Sequence, residues 1–293
     1  MPTESKSERV EVRKTYKLFI GGAFPRSESG RSYVVSDSRG RFLANAALAS
    51  RKDARDAVVA ALKAWPGWSA RTGYNRDQIL YRIAEMLEGR RDQFAAEVAA
   101  AEGLSRARAD AQVSAAIDRW VWYAGWADKI AQVLGSSNQV AGPYFDFSVP
   151  ESTGVVAAVA PQRSTLLGLV SVVAPIIVTG NACVVLASED RPLPAVSLAE
   201  VLATSDLPGG VVNLLTGRAA EVAPWLASHL DVHGLDLTGV DDPALAVDLE
   251  RAAAGNLKRV LLPEQEPDWA AKPGLTRMRA FLETKTVWHP VGL

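Results

Sequence analysis

An α/β fold built on a doubly wound parallel sheet, preceded by a helical segment, is the class this chain predicts, on three observations. From Gly154 onward, short apolar runs alternate with stretches of helical periodicity, the pattern of successive βαβ units. The runs at 155–160 and 183–186 are apolar at every position, as in strands covered on both faces. Ahead of them, residues 54–133 are dominated by apolar residues at helical spacing.

The elements follow in order. Residues 18–23, 33–37 and 42–47 read as short strands separated by Gly and Ser, in hairpin fashion. Ser50-Arg51-Lys52-Asp53 fits a capping box. Behind it Ala54, Ala57, Val58, Ala61 and Leu62 predict an amphipathic helix ending near Trp65-Pro66-Gly67. Ile79, Leu80, Ile83, Ala84 and Leu87 mark a second helix, 94–101 a third, and 105–133 a long alanine-rich one. The last carries Trp120, Trp122, Tyr123 and Trp126, which packing explains more cheaply than a binding surface. Residues 144–149 alternate as a half-exposed strand does. Parallel strands are then expected at 155–160, 183–186, 211–215, 234–237 and 260–262, with helices near 165–178, 192–204, 219–229 and 242–255 between them.

Composition narrows the function classes. The 293 residues hold 32 Lys+Arg against 33 Asp+Glu, with 48% hydrophobic and 22% charged residues, usual for a globular chain able to bury a core. A net charge of −1 gives no electrostatic reason to bind nucleic acid or an anionic membrane. Residues 165–188 are uncharged and long enough to span a bilayer, but Pro175 and Thr179-Gly180-Asn181 divide them into a buried helix and a buried strand. Residues 1–14 are polar, without an apolar signal region, and read as a disordered start. One cysteine excludes an internal disulfide and suits a reducing cytoplasm.

Few residues stand out chemically. Cys183 lies in an apolar strand with no basic neighbour in sequence, which reads as an inert core thiol. His229 and His233 are four apart, but Asp231-Val232 and Gly234-Leu235 suggest a helix end running into a strand, so no metal pair is expected. Asp241, Asp242 and Asp248 read as a solvated helix start. No G-x-G dinucleotide fingerprint occurs. Pattern alone reaches an α/β domain of nucleotide-binding type and stops there.

Particular segments go further. Phe19-Ile20-Gly21-Gly22, Ala64-Trp65-Pro66-Gly67-Trp68-Ser69 and Tyr123-Ala124-Gly125-Trp126-Ala127-Asp128-Lys129 resemble landmarks of the aldehyde dehydrogenase superfamily. Thr179-Gly180-Asn181, Leu207-Pro208-Gly209-Gly210-Val211-Val212-Asn213, Asn256-Leu257-Lys258-Arg259-Val260 and Leu282-Glu283-Thr284-Lys285-Thr286-Val287-Trp288 continue the resemblance in the family's order. The resemblance implies a Rossmann-like domain over 15–266, with an oligomerisation strand at 143–150 inserted in it. It implies a linker and C-terminal oligomerisation strand over 267–293, the two strands forming a small antiparallel oligomerisation sheet.

The departures are as specific. The family oxidises aldehydes with a cysteine thiolate, an oxyanion-hole asparagine, a glutamate base and NAD(P). The asparagine belongs to a "PWNFP" turn that reads Pro161-Gln162-Arg163-Ser164-Thr165 here. The glutamate belongs to "LELGG", which reads Leu262-Pro263-Glu264-Gln265-Glu266, and a one-residue shift on a strand turns the side chain to the other face. The nucleophile's motif and most of its domain are missing between about Glu266 and Lys272. For the cofactor, the "KPSE" lysine has become Leu186 while Glu189 remains, "TGS" has become Thr238-Gly239-Val240, and a "G-x-G" turn survives as Gly217 with Ala219 in its second place. The eroded NAD(P)-binding positions are thus Pro161, Glu189, Gly217 and Gly239. Each lost hydrogen bond to a charged group costs roughly 1.5–3 kcal/mol.

What the resemblance implies is a chain without catalytic residues. It is expected to act as a non-catalytic subunit, homo- or hetero-oligomeric, on a full-length aldehyde dehydrogenase. Two alternatives are a divergent NAD(P)-dependent oxidoreductase needing a partner chain, and an anion- or nucleotide-sensing module around Arg163 and Glu189.

Overall fold

The computed structural model describes residues 14–264 and 267–292. The expected disordered start lies outside them except for Lys14, which ion-pairs with Glu200 at 2.5 Å.

The chain opens with an antiparallel hairpin, β1 (Ser32–Ser36) and β2 (Phe42–Ala47). Ahead of it, the strand expected over 18–23 is a tight turn. Gly21 and Gly22 take φ of 62° and 84°, and Phe19 makes a lone bridge to Leu214 through two backbone bonds of 2.9 and 2.8 Å. Helix α1 (Arg51–Ser69) starts at the expected capping box, with Ser50 as cap and Asp53 reaching back to the Ser50 N–H at 2.7 Å. It continues past Pro66, where the sequence predicts its end. The extra turn is held by Trp68, 1% exposed, whose indole N–H donates to the Ile177 carbonyl at 2.8 Å. Burial of that ring outweighs one missing backbone bond.

Helices α2 (Gly73–Glu88), α3 (Arg91–Glu102) and α4 (Arg106–Ala124) follow, then α5 (Ile130–Leu134). The single helix expected over 105–133 is therefore two, parted by turns after Gly125. Trp120 and Tyr123 are fully buried and Trp122 and Trp126 pack against the same core, as expected. Strand β3 (Ser136–Asn138), which the sequence did not announce, adds to β4 (Tyr144–Ser152).

The central sheet has β5 (Val155–Val159), β6 (Ala182–Leu186), β7 (Val212–Leu215), β8 (Gly234–Asp236) and β9 (Arg259–Leu261), all parallel, in the order β7-β6-β5-β8-β9. Helices α6 (Leu167–Val178), α7 (Leu193–Ala203), α8 (Ala219–Ser228) and α9 (Pro243–Ala253) alternate with the strands. Along β5, Val156 and Ala158 join one apolar cluster, with α4, α6 and α7. Val155, Ala157 and Val159 join the other, with α1, α8 and α9. Period-2 alternation between two covered faces is why these strands read as unbroken apolar runs. Among the described residues, no helix is long and apolar enough to cross a membrane.

After β9 the chain forms a short helix, α10 (Thr276–Ala280), and a long strand, β10 (Leu282–Pro290). Met278 and Phe281 are buried in the α4–α6 cluster, and Asn181 donates to the Phe281 carbonyl at 2.8 Å. β10 then pairs antiparallel with all nine residues of β4, giving a three-stranded sheet ordered β10-β4-β3.

Candidate functional site

The chain runs from β5 out to β6 and β7, then returns to lay β8 and β9 on the other side of β5. This reversal leaves a crevice at the carboxyl ends of β5 and β8, where open α/β sheets bind ligands. A cleft of about 1010 Å³ opens there. The turn after β5 (Pro161 to Ser164), the turn after β8 (Thr238 to Asp241) and the residues after β9 (Leu262 to Glu264) line its base. α4 and α9 form its walls, and residues 267–270 complete its rim.

Of the four positions expected to touch a cofactor, the structure brings Pro161 and Gly239 to this cleft. Glu189 and Gly217 sit apart from it, around the ends of β6 and β7. There the Glu189 carboxylate accepts from the Ala219 N–H at 2.6 Å, capping the first turn of α8. The Glu189 N–H in turn donates to Gln162 Oε1 at 2.9 Å. The carboxylate and the N–H of Glu189 are thus both engaged within the chain.

The turn after β8 is closed in the same way. The Thr238 N–H donates to Asp236 Oδ1 at 3.0 Å, the Gly239 N–H to the Val159 carbonyl at 3.0 Å, and the Val240 N–H to the Leu237 carbonyl at 2.9 Å. Gly239 fits because it has no Cβ, which would stand 1.9 Å from the Ala160 carbonyl oxygen. The start of α9 beyond it is capped by the Asp242 carboxylate, accepting from Ala244 N–H at 2.9 Å, with Pro243 as its first residue. A helix N-terminus attracts phosphate through unbonded N–H groups and its dipole; here a carboxylate occupies that place. Leu186, where a ribose-binding lysine was expected, is 1% exposed. The residues present therefore do not fit the phosphates of NAD(P).

The positions that the resemblance sets against the family's catalytic residues lie as follows. Cys183 is wholly buried in β6, and burial pushes its thiol well above the ordinary range, so thiolate is scarce. Arg163 is exposed on the cleft. Pro263 and Glu264 lie in a loop beyond β9, and Glu264 Oε2 stands 3.3 Å from Arg277 Nη2. His229 and His233 lie on different segments: His229 caps α8, while His233 Nδ1 accepts from Val155 N–H at 3.0 Å. Among the described residues, no group of three or more metal-ligating side chains occurs.

A buried charged cluster behind the cleft escapes a sequence reading. Asp236, 1% exposed, accepts from Arg277 at 3.1 Å, and the same guanidinium nitrogen donates to Thr238 Oγ1 at 3.1 Å. Burial raises the Asp236 pKa, and Arg277 opposes that rise. Arg277 stacks on Trp269 with 5.1 Å from guanidinium carbon to ring centroid. Arg119 of α4 donates to the carbonyls of Trp269 and Ala271 at 2.6 and 3.0 Å. Residues 269–277 are thus fastened to both α4 and the end of β8. The one available signal was Asp236 itself, an acid inside the apolar run 234–237, which demands a buried partner.

Fold and crevice together define an α/β domain of nucleotide-binding type, with several turn N–H groups at the crevice bonded to the chain's own acceptors. The chain belongs to the aldehyde dehydrogenase family, whose model matches residues 24–263. It is 32% identical over 250 residues to the mitochondrial benzaldehyde dehydrogenase of Antirrhinum majus, covering 84% of this chain and 46% of that protein. To the mitochondrial aldehyde dehydrogenase family 2 member B4 of Arabidopsis thaliana it is 33% identical, covering 86% of this chain and 47% of that one. Among solved structures, the NAD+ complex of an aldehyde dehydrogenase from Bacillus cereus superposes with a TM-score of 0.80 at 26% identity, over 84% of this chain and 50% of that one. The chain spans about half the length of these relatives.

Proposed function

We propose that this chain works in the cytoplasm as a non-catalytic subunit that docks onto a full-length aldehyde dehydrogenase through the β10-β4-β3 sheet. The observation that carries this reading is the sheet itself. Tyr144, Phe145 and Trp288 are 46%, 50% and 58% exposed on it, and β10 offers a nine-residue outer edge without a strand partner among the described residues. Exposed aromatic groups beside an open edge favour a partner, since such a surface left bare invites aggregation. The chemistry argues the same way. The only cysteine is inaccessible, and Arg163 and Pro263 stand where the resemblance places the asparagine and the glutamate. The fastening of 269–277 to Asp236 and Arg119 supports the view that the fold is completed without a further catalytic domain.

The test is co-expression of the tagged chain with a full-length aldehyde dehydrogenase from the same cell. Stoichiometric co-purification that is lost in Phe145→Asp and Trp288→Asp variants is the expected outcome. A wild-type chain that elutes alone as a monomer at micromolar concentration contradicts it.

A further inference from the structure

We propose that two copies of this chain pair through the outer edges of their β10 strands, antiparallel about a two-fold axis at Thr286. The subunit reading uses the same edge, but this inference does not rest on it. Without the enzyme the two copies close each other's edge; with it, the two partners compete.

Which backbone groups are open follows from the ladder. β10 runs beside β4 for nine residues in one unbroken register, from Leu282↔Ser152 to Pro290↔Tyr144. Just beyond its ends, the Phe281 carbonyl accepts from the Thr153 N–H at 3.3 Å and the Val291 N–H donates to the Pro143 carbonyl at 2.8 Å. Residues in an antiparallel ladder turn their N–H and C=O alternately toward and away from the partner strand. Both end bonds fall on odd-numbered residues, so Glu283, Lys285, Val287 and His289 face β4. Leu282, Thr284, Thr286, Trp288 and Pro290 turn theirs outward, where β10 has no neighbouring strand among the described residues.

The devices that keep an edge single are missing here. Edges are usually blunted by bulges, shortness, projecting lysines or proline. β10 has no bulge, Lys285 is drawn back over the sheet to Glu151 at 3.0 Å, and Pro290 stands only at the last position of the strand. The opposite edge, β3, is three residues long.

The strand is complementary to itself in one register. Outward groups meet only when even-numbered residues face even-numbered ones. With the axis at Thr286, that residue faces its own copy, Thr284 faces Trp288 and Leu282 faces Pro290, giving about eight interstrand hydrogen bonds. Threonine opposite threonine, and an aromatic ring opposite a β-branched residue, are favourable cross-strand pairs, and Trp288 is 58% exposed without them. On the other face Glu283, which also holds Arg259 at 2.5 and 2.7 Å, comes level with His289 of the second copy. Lys285 comes level with Val287, so no like charges meet. Moving the axis to Lys285 sets two ammonium groups against each other, and moving it to Val287 leaves Leu282 past the end of the facing strand.

The experiment is light scattering after size exclusion of the whole chain, purified without enzyme, from about 1 to about 200 µM. A mass rising from one copy to two is expected. Thr286→Pro removes an outward N–H and no backbone bond to β4, which an edge strand tolerates. It should weaken pairing about tenfold or more with an unchanged circular dichroism spectrum. Thr286→Cys should give a disulfide-linked dimer on mild oxidation, since facing hydrogen-bonded residues stand about 5.5 Å apart at Cα. Thr284→Cys, which faces Trp288, should not, and the native Cys183 is buried away from the exchange. A chain monomeric at every concentration, a dimer indifferent to Thr286→Pro, or cross-linking through Thr284→Cys in place of Thr286→Cys would each overturn the proposal. If Thr286→Pro does not fold, the two cysteine variants decide. A chain monomeric alone that still co-purifies with the enzyme sinks the pairing and leaves the subunit reading standing; a dimer that ignores the enzyme does the reverse.

Discussion

At Cys183 the local environment settles chemistry that the residue type leaves open. The thiol is enclosed between the α6 side of the sheet and the strands beside it, and its pKa is raised by burial. Thiol-reactive reagents are therefore expected to leave it unlabelled in the native chain and to react fully only in denaturant; rapid native labelling would reverse that assignment. Lys258 makes a second residue-scale prediction. It is buried, with Nζ bonded to Asn256, and burial lowers its pKa from 10.5 to about 8. Between these two values the unfolded chain binds more protons than the folded one, so this residue's contribution makes stability rise with pH across that window. Chemical denaturation from about pH 8 to pH 10.5 should show a slope that Lys258→Met flattens. Cys183 was legible as inert from its apolar neighbours alone. Lys258 was not, because its burial depends on the start of β9 packing beside His233, a contact between segments distant in sequence.

At the scale of elements, the capping box of α1 shows what local sequence can and cannot carry. Ser50 and Asp53 were readable as cap and partner, and both bonds form. That Asp53 also accepts from Ser27 Oγ at 2.8 Å and from the Glu28 N–H at 3.0 Å was not, since those residues belong to a separate turn. Ser50→Ala should cost about 1 kcal/mol, and Asp53→Ala roughly 2–4 kcal/mol, because it strips a charged acceptor from several donors. Equal losses in urea denaturation would count against this ranking. The 267–281 segment is the counterpart. Its short helix α10 has no long apolar period to announce it, and it is placed by the Asp236–Arg277 pair, whose side chains are 2% and 16% exposed. Arg277→Ala leaves a buried carboxylate unpaired and should destabilise by about 3–5 kcal/mol. The paired replacement Asp236→Leu/Arg277→Met should recover much of that loss. Gly234 belongs to the same joint: a Cβ there would stand 2.7 Å from the Phe281 ring.

Over the whole molecule, the parallel sheet was legible because its central strands β5 and β6 are apolar on both faces and helical stretches alternate with the strands. The order β7-β6-β5-β8-β9, which places the cleft at its reversal, is set by the packing of the helices and was not legible in that alternation. What the sequence left out was how the turn N–H groups around the cleft are engaged. That depends on which acceptor each turn N–H finds, and those acceptors, Val159 and Glu189 among them, come from neighbouring strands and loops. The two ends of the fold are therefore of different character: a carboxyl-edge cleft whose turn N–H groups are bonded within the chain, and an antiparallel sheet with exposed aromatic groups and, among the described residues, an outer edge without a strand partner. Their combination underlies the central claim, that this family member docks rather than catalyses. The most direct test is light scattering after size exclusion of the chain mixed with a full-length aldehyde dehydrogenase, with aldehyde oxidation followed on the same fractions. The account predicts a hetero-oligomer whose turnover comes from the full-length enzyme alone, while the isolated chain reduces no NAD(P)+. A monomeric chain that ignores the enzyme, or an isolated chain that oxidises aldehydes, would contradict it.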